Sequence, residues 1–121
     1  MVKDIAFTAY PAKDVAALRN FYAENLGLKF SGAFEEEGVL KYDEAQVGSG
    51  WFAVMTVEWA EISPSGGLAF EVDDIEKTIE NLKSKGVQIE GVYDTPVCRL
   101  SSFNDPEGNK ITLHQSKGAP A

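Results

Sequence analysis

"LAFEVDDIEKTIENLKSKGV", residues 68–87, reads as a strand that runs into a helix. Leu68, Phe70 and Val72 alternate with Ala69 and Glu71, the period of a pleated strand with one face covered. Asp73 lies three residues before Glu76, the spacing of a capping box. Ile75, Ile79 and Leu82 then form an apolar stripe, and Gly86 supplies the residue that ends a helix. Glu80, Lys83 and Lys85 fall on the solvated side.

The same grammar occurs earlier in the chain. Ile5-Ala6-Phe7 matches Leu68-Ala69-Phe70 in type. Asp14 stands where an N-cap belongs, Val15, Leu18, Tyr22 and Leu26 make the stripe, and Gly27 is the natural terminator. Each helix is followed by β-like segments. They fall near 28–36, 38–45 and 50–59 in the first half, and near 87–94, 97–104 and 109–116 in the second. Gly38, Gly48-Ser49-Gly50 and Asp105-Pro106-Glu107-Gly108 punctuate them. Each half therefore reads β-α-β-β-β. Residues 60–66 join the halves and are too few for a flexible linker between independent domains.

The expected fold is α+β: two β-α-β-β-β modules, about 4–59 and about 67–116, within one domain over 1–121. They form a curled, cavity-enclosing mixed sheet with helices on the outer face. In 110–114, Ile111 and Leu113 alternate with Lys110, Thr112 and His114. The bulky set belongs under a helix. The small and polar set belongs on the cavity side.

Bulk properties narrow the partners. The chain has 121 residues, 44% hydrophobic and 25% charged, and a formal net charge of −8. That is an ordinary composition for one globular domain. An acidic surface repels nucleic-acid phosphates and anionic lipid, so neither nucleic acid nor membrane is an expected partner. The amino terminus lacks the apolar run of a secretory signal and reads as a strand. One cysteine cannot close an internal disulfide, which fits a cytoplasmic location.

Duplicated β-α-β-β-β modules, "FYAENLGL" (21–28), "LAFEVDDIEKTIENLKSKGV" and "DPEGN" (105–109) together resemble the vicinal oxygen chelate superfamily. It includes glyoxalase I, ring-cleaving dioxygenases, fosfomycin-resistance transferases and bleomycin-binding proteins. The resemblance spans about residues 4–116 and speaks for the fold more than for any one reaction.

Enzymes of that superfamily hold a divalent metal through His and Glu, at the start of the first strand and on the last strand of each module. The resemblance puts Gly67 and Thr112 at two of those positions. On the fourth strand, Val54 or Thr56 is the nearest match. On the first strand, counting back from Asp14 gives Phe7, whereas aligning the apolar triplets gives Asp4. The triplet alignment is preferred. It keeps Phe7 with Phe70 on the helix-covered face and treats "YPAK" (10–13) as a local insertion.

A catalytic metal generally needs about three protein ligands and an open position. This set does not supply them, so no cofactor is expected. The alternative is a divalent metal ion in a displaced site of Asp4, Glu71 and His114, serving a lyase, isomerase or dioxygenase.

The candidate ligand-binding residues are His114, Thr112, Cys98, Glu71, Asp4 and Trp51. Trp51 and Trp59 share a face if their strand is regular, where they line an apolar pocket, join the core or meet a second subunit. Glu35-Glu36-Glu37 reads as a solvated hairpin. Gly48-Ser49-Gly50 lacks the lysine and following helix of a phosphate loop.

Proline at 106 and glycine at 108 favour a turn with a glycine bulge, in which paired residue numbers sum to 214. Cys98 and His114 then share the cavity face as diagonal neighbours, about 5.5–8 Å apart and out of hydrogen-bond contact. Binding of a small, partly aromatic or amphipathic molecule by a homodimer is the leading expectation. A metal-dependent enzyme and a non-catalytic interaction module are the rivals.

Overall fold

The computed structural model describes Met1, Lys3, residues 6–64 and residues 67–117. Ten elements follow in order: β1 (Thr8–Ala12), α1 (Val15–Leu26), β2 (Phe34–Glu36), β3 (Val39–Val47), β4 (Gly50–Thr56), β5 (Leu68–Glu71), α2 (Ile75–Ser84), β6 (Tyr93–Asp94), β7 (Cys98–Asn104) and β8 (Lys110–Ser116). The repeat β-α-β-β-β is present in each half.

The strands form two four-stranded sheets, ordered β1-β4-β3-β2 and β5-β8-β7-β6. In each, the first strand pairs in parallel with the last, and the remaining pairs are antiparallel. The expected α+β fold of two β-α-β-β-β modules is present, with its mixed sheet in two four-stranded parts, neither closed on itself. The chain divides into two compact units, Met1–Ser63 with Pro106–Asn109, and Pro64–Asp105 with Lys110–Ala121.

In the first unit, the Asp14 side chain accepts from Ala17 N and starts α1. Gly27 ends it at φ 72°, a left-handed conformation that costs glycine nothing. Val15, Leu18 and Tyr22 face the sheet and are buried. Tyr10, Phe52 and Val54 of the sheet are buried with them. Phe52 is the hub, with ring centroids 4.8 Å from Tyr22 and 5.8 Å from Tyr10, both edge-on. Asp43, 2% exposed, is held by Arg19 Nη1 at 2.9 Å and by the N–H groups of Gly32 and Glu44, each at 2.9 Å. The acidic hairpin is solvated as expected, with Glu37 and Gly38 both at positive φ between β2 and β3.

The first strand departs from the expectation. It covers Thr8–Ala12, so Tyr10, Pro11 and Ala12 of "YPAK" are strand rather than insertion. Tyr10, not Phe7, takes the helix-covered place of Phe70, and Phe7 is 47% exposed. The helix cap fixes the strand's register because the strand must deliver the chain to it. Counting back from the cap was the sounder ruler. The fourth strand also stops early, at Thr56, leaving Trp59 in a turn beside Phe34 with ring centroids 6.4 Å apart.

In the second unit the cap of α2 is Asp74, whose side chain accepts from Lys77 N, rather than Asp73. Ile75 follows the cap directly and is fully buried, so the stripe begins in the first turn. Ile75 N–H donates to Gln115 Oε1 at 2.7 Å, which ties the helix start to β8. Ile79 and Leu82 complete the buried face, and Phe70, Phe103, Ile111 and Leu113 lie beneath it.

The turn after β7 has the expected register. Asn104 pairs with Lys110, Ser102 with Thr112, Leu100 with His114 and Cys98 with Ser116. Gly108 takes φ 93°. The turn residues belong to the first unit. Asn109, 1% exposed, donates to the Pro11 carbonyl at 2.9 Å and accepts from Ser63 N at 3.2 Å. Glu107 Oε2 accepts from Asp14 N at 2.9 Å.

Candidate functional site

Each sheet has one face under its helix and one turned away. In the second unit the covered face is fixed by Arg99, paired to Glu76 of α2 at 2.9 Å, and by Gln115, bonded to Ile75. Residues opposite one another across a ladder share a face. The face away from α2 therefore carries Glu71, Thr112, His114, Cys98, Leu100 and Ser102. The sequence-predicted residues of this half fall together on it.

Glu71 and His114 are register partners on parallel strands. Glu71 Oε1 lies 2.5 Å from His114 Nδ1, and Glu71 Oε2 accepts from Ser116 N at 2.8 Å. The Ser116 N–H and the imidazole hold the Glu71 carboxyl below its usual range. The His114 side chain is 33% exposed and that of Glu71 59%. One step along the strands, Ser102 Oγ and Thr112 Oγ1 are 3.3 Å apart. Cys98 is 8% exposed, and its sulfur lies 3.3 Å from Thr95 Oγ1. Its contact is that hydroxyl and not His114, so the two do not form the hydrogen-bonded nucleophile–base pair of a thiol enzyme.

In the first unit the face away from α1 carries Trp51, Ala53 and Met55 from β4, opposite Gln46, Glu44 and Tyr42 of β3. Trp51 is half-buried. Tyr42 donates to Glu44 Oε1 at 2.6 Å. Burial and then that carboxylate push the Tyr42 hydroxyl up to about 12. The Tyr42–Glu44 pair was missed in the sequence. Its signal was available, since Tyr42, Glu44 and Gln46 alternate with buried Asp43 and Ala45.

Val54 and Thr56 do not occupy the expected place on this face. Both are buried, at 0% and 5% exposed. The ladders show what does. Ala69 pairs with Thr112 in one unit, and Ala9 pairs with Ala53 in the other, at the same distance from the helix cap. Ala53 thus corresponds to Thr112, as Phe7 does to Gly67. Asp4 lies outside the described residues.

Phe7, Ala53, Gly67 and Thr112 do not fit a divalent metal. Three carry no donor atom, and a neutral threonine hydroxyl is a poor substitute for imidazole or carboxylate. Among the described residues, no three His, Cys, Asp or Glu side chains gather in a way that could hold an ion. Among them, too, no helix is long and apolar enough to cross a membrane.

Relatives share this architecture. The chain is 28% identical over 125 residues to the uncharacterized protein YaeR of Escherichia coli K12, covering 94% of this chain and 97% of that one. TnmS3, an antibiotic binding protein from Streptomyces sp. CB03234, superposes with a TM-score of 0.77 at 24% identity, over 96% of this chain and 98% of that one. The fosfomycin resistance protein FosX of Listeria monocytogenes superposes with a TM-score of 0.75 at 14% identity, over 95% and 94%. These two show the fold. Residues 4–113 match the family model, so the chain belongs to the Glyoxalase/Bleomycin resistance protein/Dioxygenase superfamily.

Proposed function

We propose that this protein binds a small, partly aromatic or amphipathic molecule on the face of its second sheet turned away from α2, without the metal its superfamily's enzymes use. The observation that carries the reading is the dressing of that face. Leu100 and Tyr93 offer apolar surface, and Glu71, His114, Ser102 and Thr112 offer oriented polar groups. A few placed polar groups among apolar ones suit a small organic ligand. The register positions of the superfamily's ligands hold Phe7, Ala53, Gly67 and Thr112, which supports binding without an ion. Sequestration rather than turnover is the outcome we favour. A soluble cytoplasmic homodimer is part of the proposal, with Phe34, Val39 and Trp59 of the first unit, each about half exposed, as contact surface.

A thermal-shift panel of aromatic and amphipathic small molecules, run in EDTA, tests this. A compound that binds the native state raises the melting temperature. Hits that survive EDTA and weaken in His114→Ala or Leu100→Ala are expected. A panel that shifts only when divalent metal is supplied contradicts the reading.

A further inference from the structure

The second sheet presents one side chain per strand in a row across the face away from α2. Glu71 is opposite His114, His114 opposite Leu100, and Leu100 opposite Tyr93. Neighbouring strands lie about 4.8 Å apart, so His114 to Tyr93 spans about 10 Å. The row passes from a carboxylate–imidazole pair to an aliphatic and then an aromatic side chain. Tyr93 is 70% exposed.

The polar end has a fixed sense. Glu71 is held at one oxygen by Ser116 N and meets His114 Nδ1 with the other. A carboxylate only accepts, so a neutral imidazole must keep its proton on Nδ1. That leaves Nε2 as an acceptor. Nε2 has no hydrogen bond to any described residue, and it is not a buried atom. An acceptor beside a negative charge takes a hydrogen-bond donor and repels anions.

We propose that this row recognises a planar aromatic ligand carrying a hydroxyl at its rim, a phenol or enol, whose O–H donates to His114 Nε2 while the ring lies along Leu100 and Tyr93. The proposal rests on the small-molecule reading above and names the ligand class for it. A two-ring ligand matches the length of the row.

The imidazole ¹⁵N resonances at about pH 8 provide the test. The free protein should show the proton on Nδ1. A proton on Nε2 overturns the proposal. The probes are 2-naphthol and 2-methoxynaphthalene. Naphthol should move the Nε2 resonance saturably, with an affinity at least about tenfold above that of the ether. Equal affinities, or no Nε2 response to naphthol, overturn the proposal and leave the broader reading to its own panel. In Glu71→Gln the amide oxygen is claimed by Ser116 N, so its NH2 must face Nδ1. The tautomer should flip and the naphthol advantage vanish. An unchanged tautomer and preference in that variant count equally against the proposal. Should the variant fail to fold, the wild-type tautomer and the probe pair still decide.

Discussion

Glu71 and His114 lie side by side on β5 and β8, carboxylate against imidazole at 2.5 Å, because the parallel register pairs them. The Glu71 carboxyl is held low in the folded state, chiefly by Ser116 N and then by His114. A depressed carboxylate contributes stability above its unfolded value, about 4.3, and loses it as pH falls through the lower folded value. The group is largely exposed, so the contribution is small after solvent screening. Urea unfolding of wild type and Glu71→Gln should differ most at neutral pH and converge as acid protonates the carboxylate. A gap that widens with acid would contradict the assignment.

Asp43 is the most committed charge of the first unit. Replacing it with alanine strips an acceptor from Gly32 N and Glu44 N and a partner from Arg19. Asp43→Ala should cost about 1–3 kcal/mol, the range for orphaned buried donors. Arg19→Ala should cost less, since Arg19 is 31% exposed and leaves the two backbone donors satisfied. Chemical denaturation of both variants checks the order.

Asn109 bonds the Pro11 carbonyl and Ser63 N from a site 1% exposed to solvent. Asn109→Ala should lower stability by about 1–3 kcal/mol. Asn109→Asp should do no better, because it loses the donor to Pro11 and buries a charge. Full stability in the aspartate variant would show that the Pro11 bond is dispensable.

Tyr42 should ionise near 12 because burial and Glu44 both disfavour its phenolate. In a spectrophotometric titration, Tyr42→Phe should remove absorbance that develops near pH 12. Loss of a component near the ordinary tyrosine value, about 10, would contradict the Tyr42–Glu44 bond.

The elements were legible where a local rule had a single solution. Proline at 106 and glycine at 108 favoured a bulged turn over a two-residue loop, and that turn fixed the faces of Cys98, Thr112 and His114. Asp73 and Asp74 competed for one cap, and only the buried start of the stripe at Ile75 separates them. The Ile-Ala-Phe triplet misled because it matched letters instead of the distance to the helix, which placed β1 too early. The first sheet's polar pair went unnoticed because Glu44 sits in an acidic stretch with buried Asp43 beside it. Parity, not composition, distinguishes the two.

The most direct measurement of the central claim is an NMR titration of ¹⁵N-labelled protein with the strongest compound from the EDTA panel. The account predicts shifts at the amides of Glu71, Leu100, Thr112 and His114, saturating together in the absence of metal. Shifts confined to α1 and α2, with these groups unmoved, would contradict it.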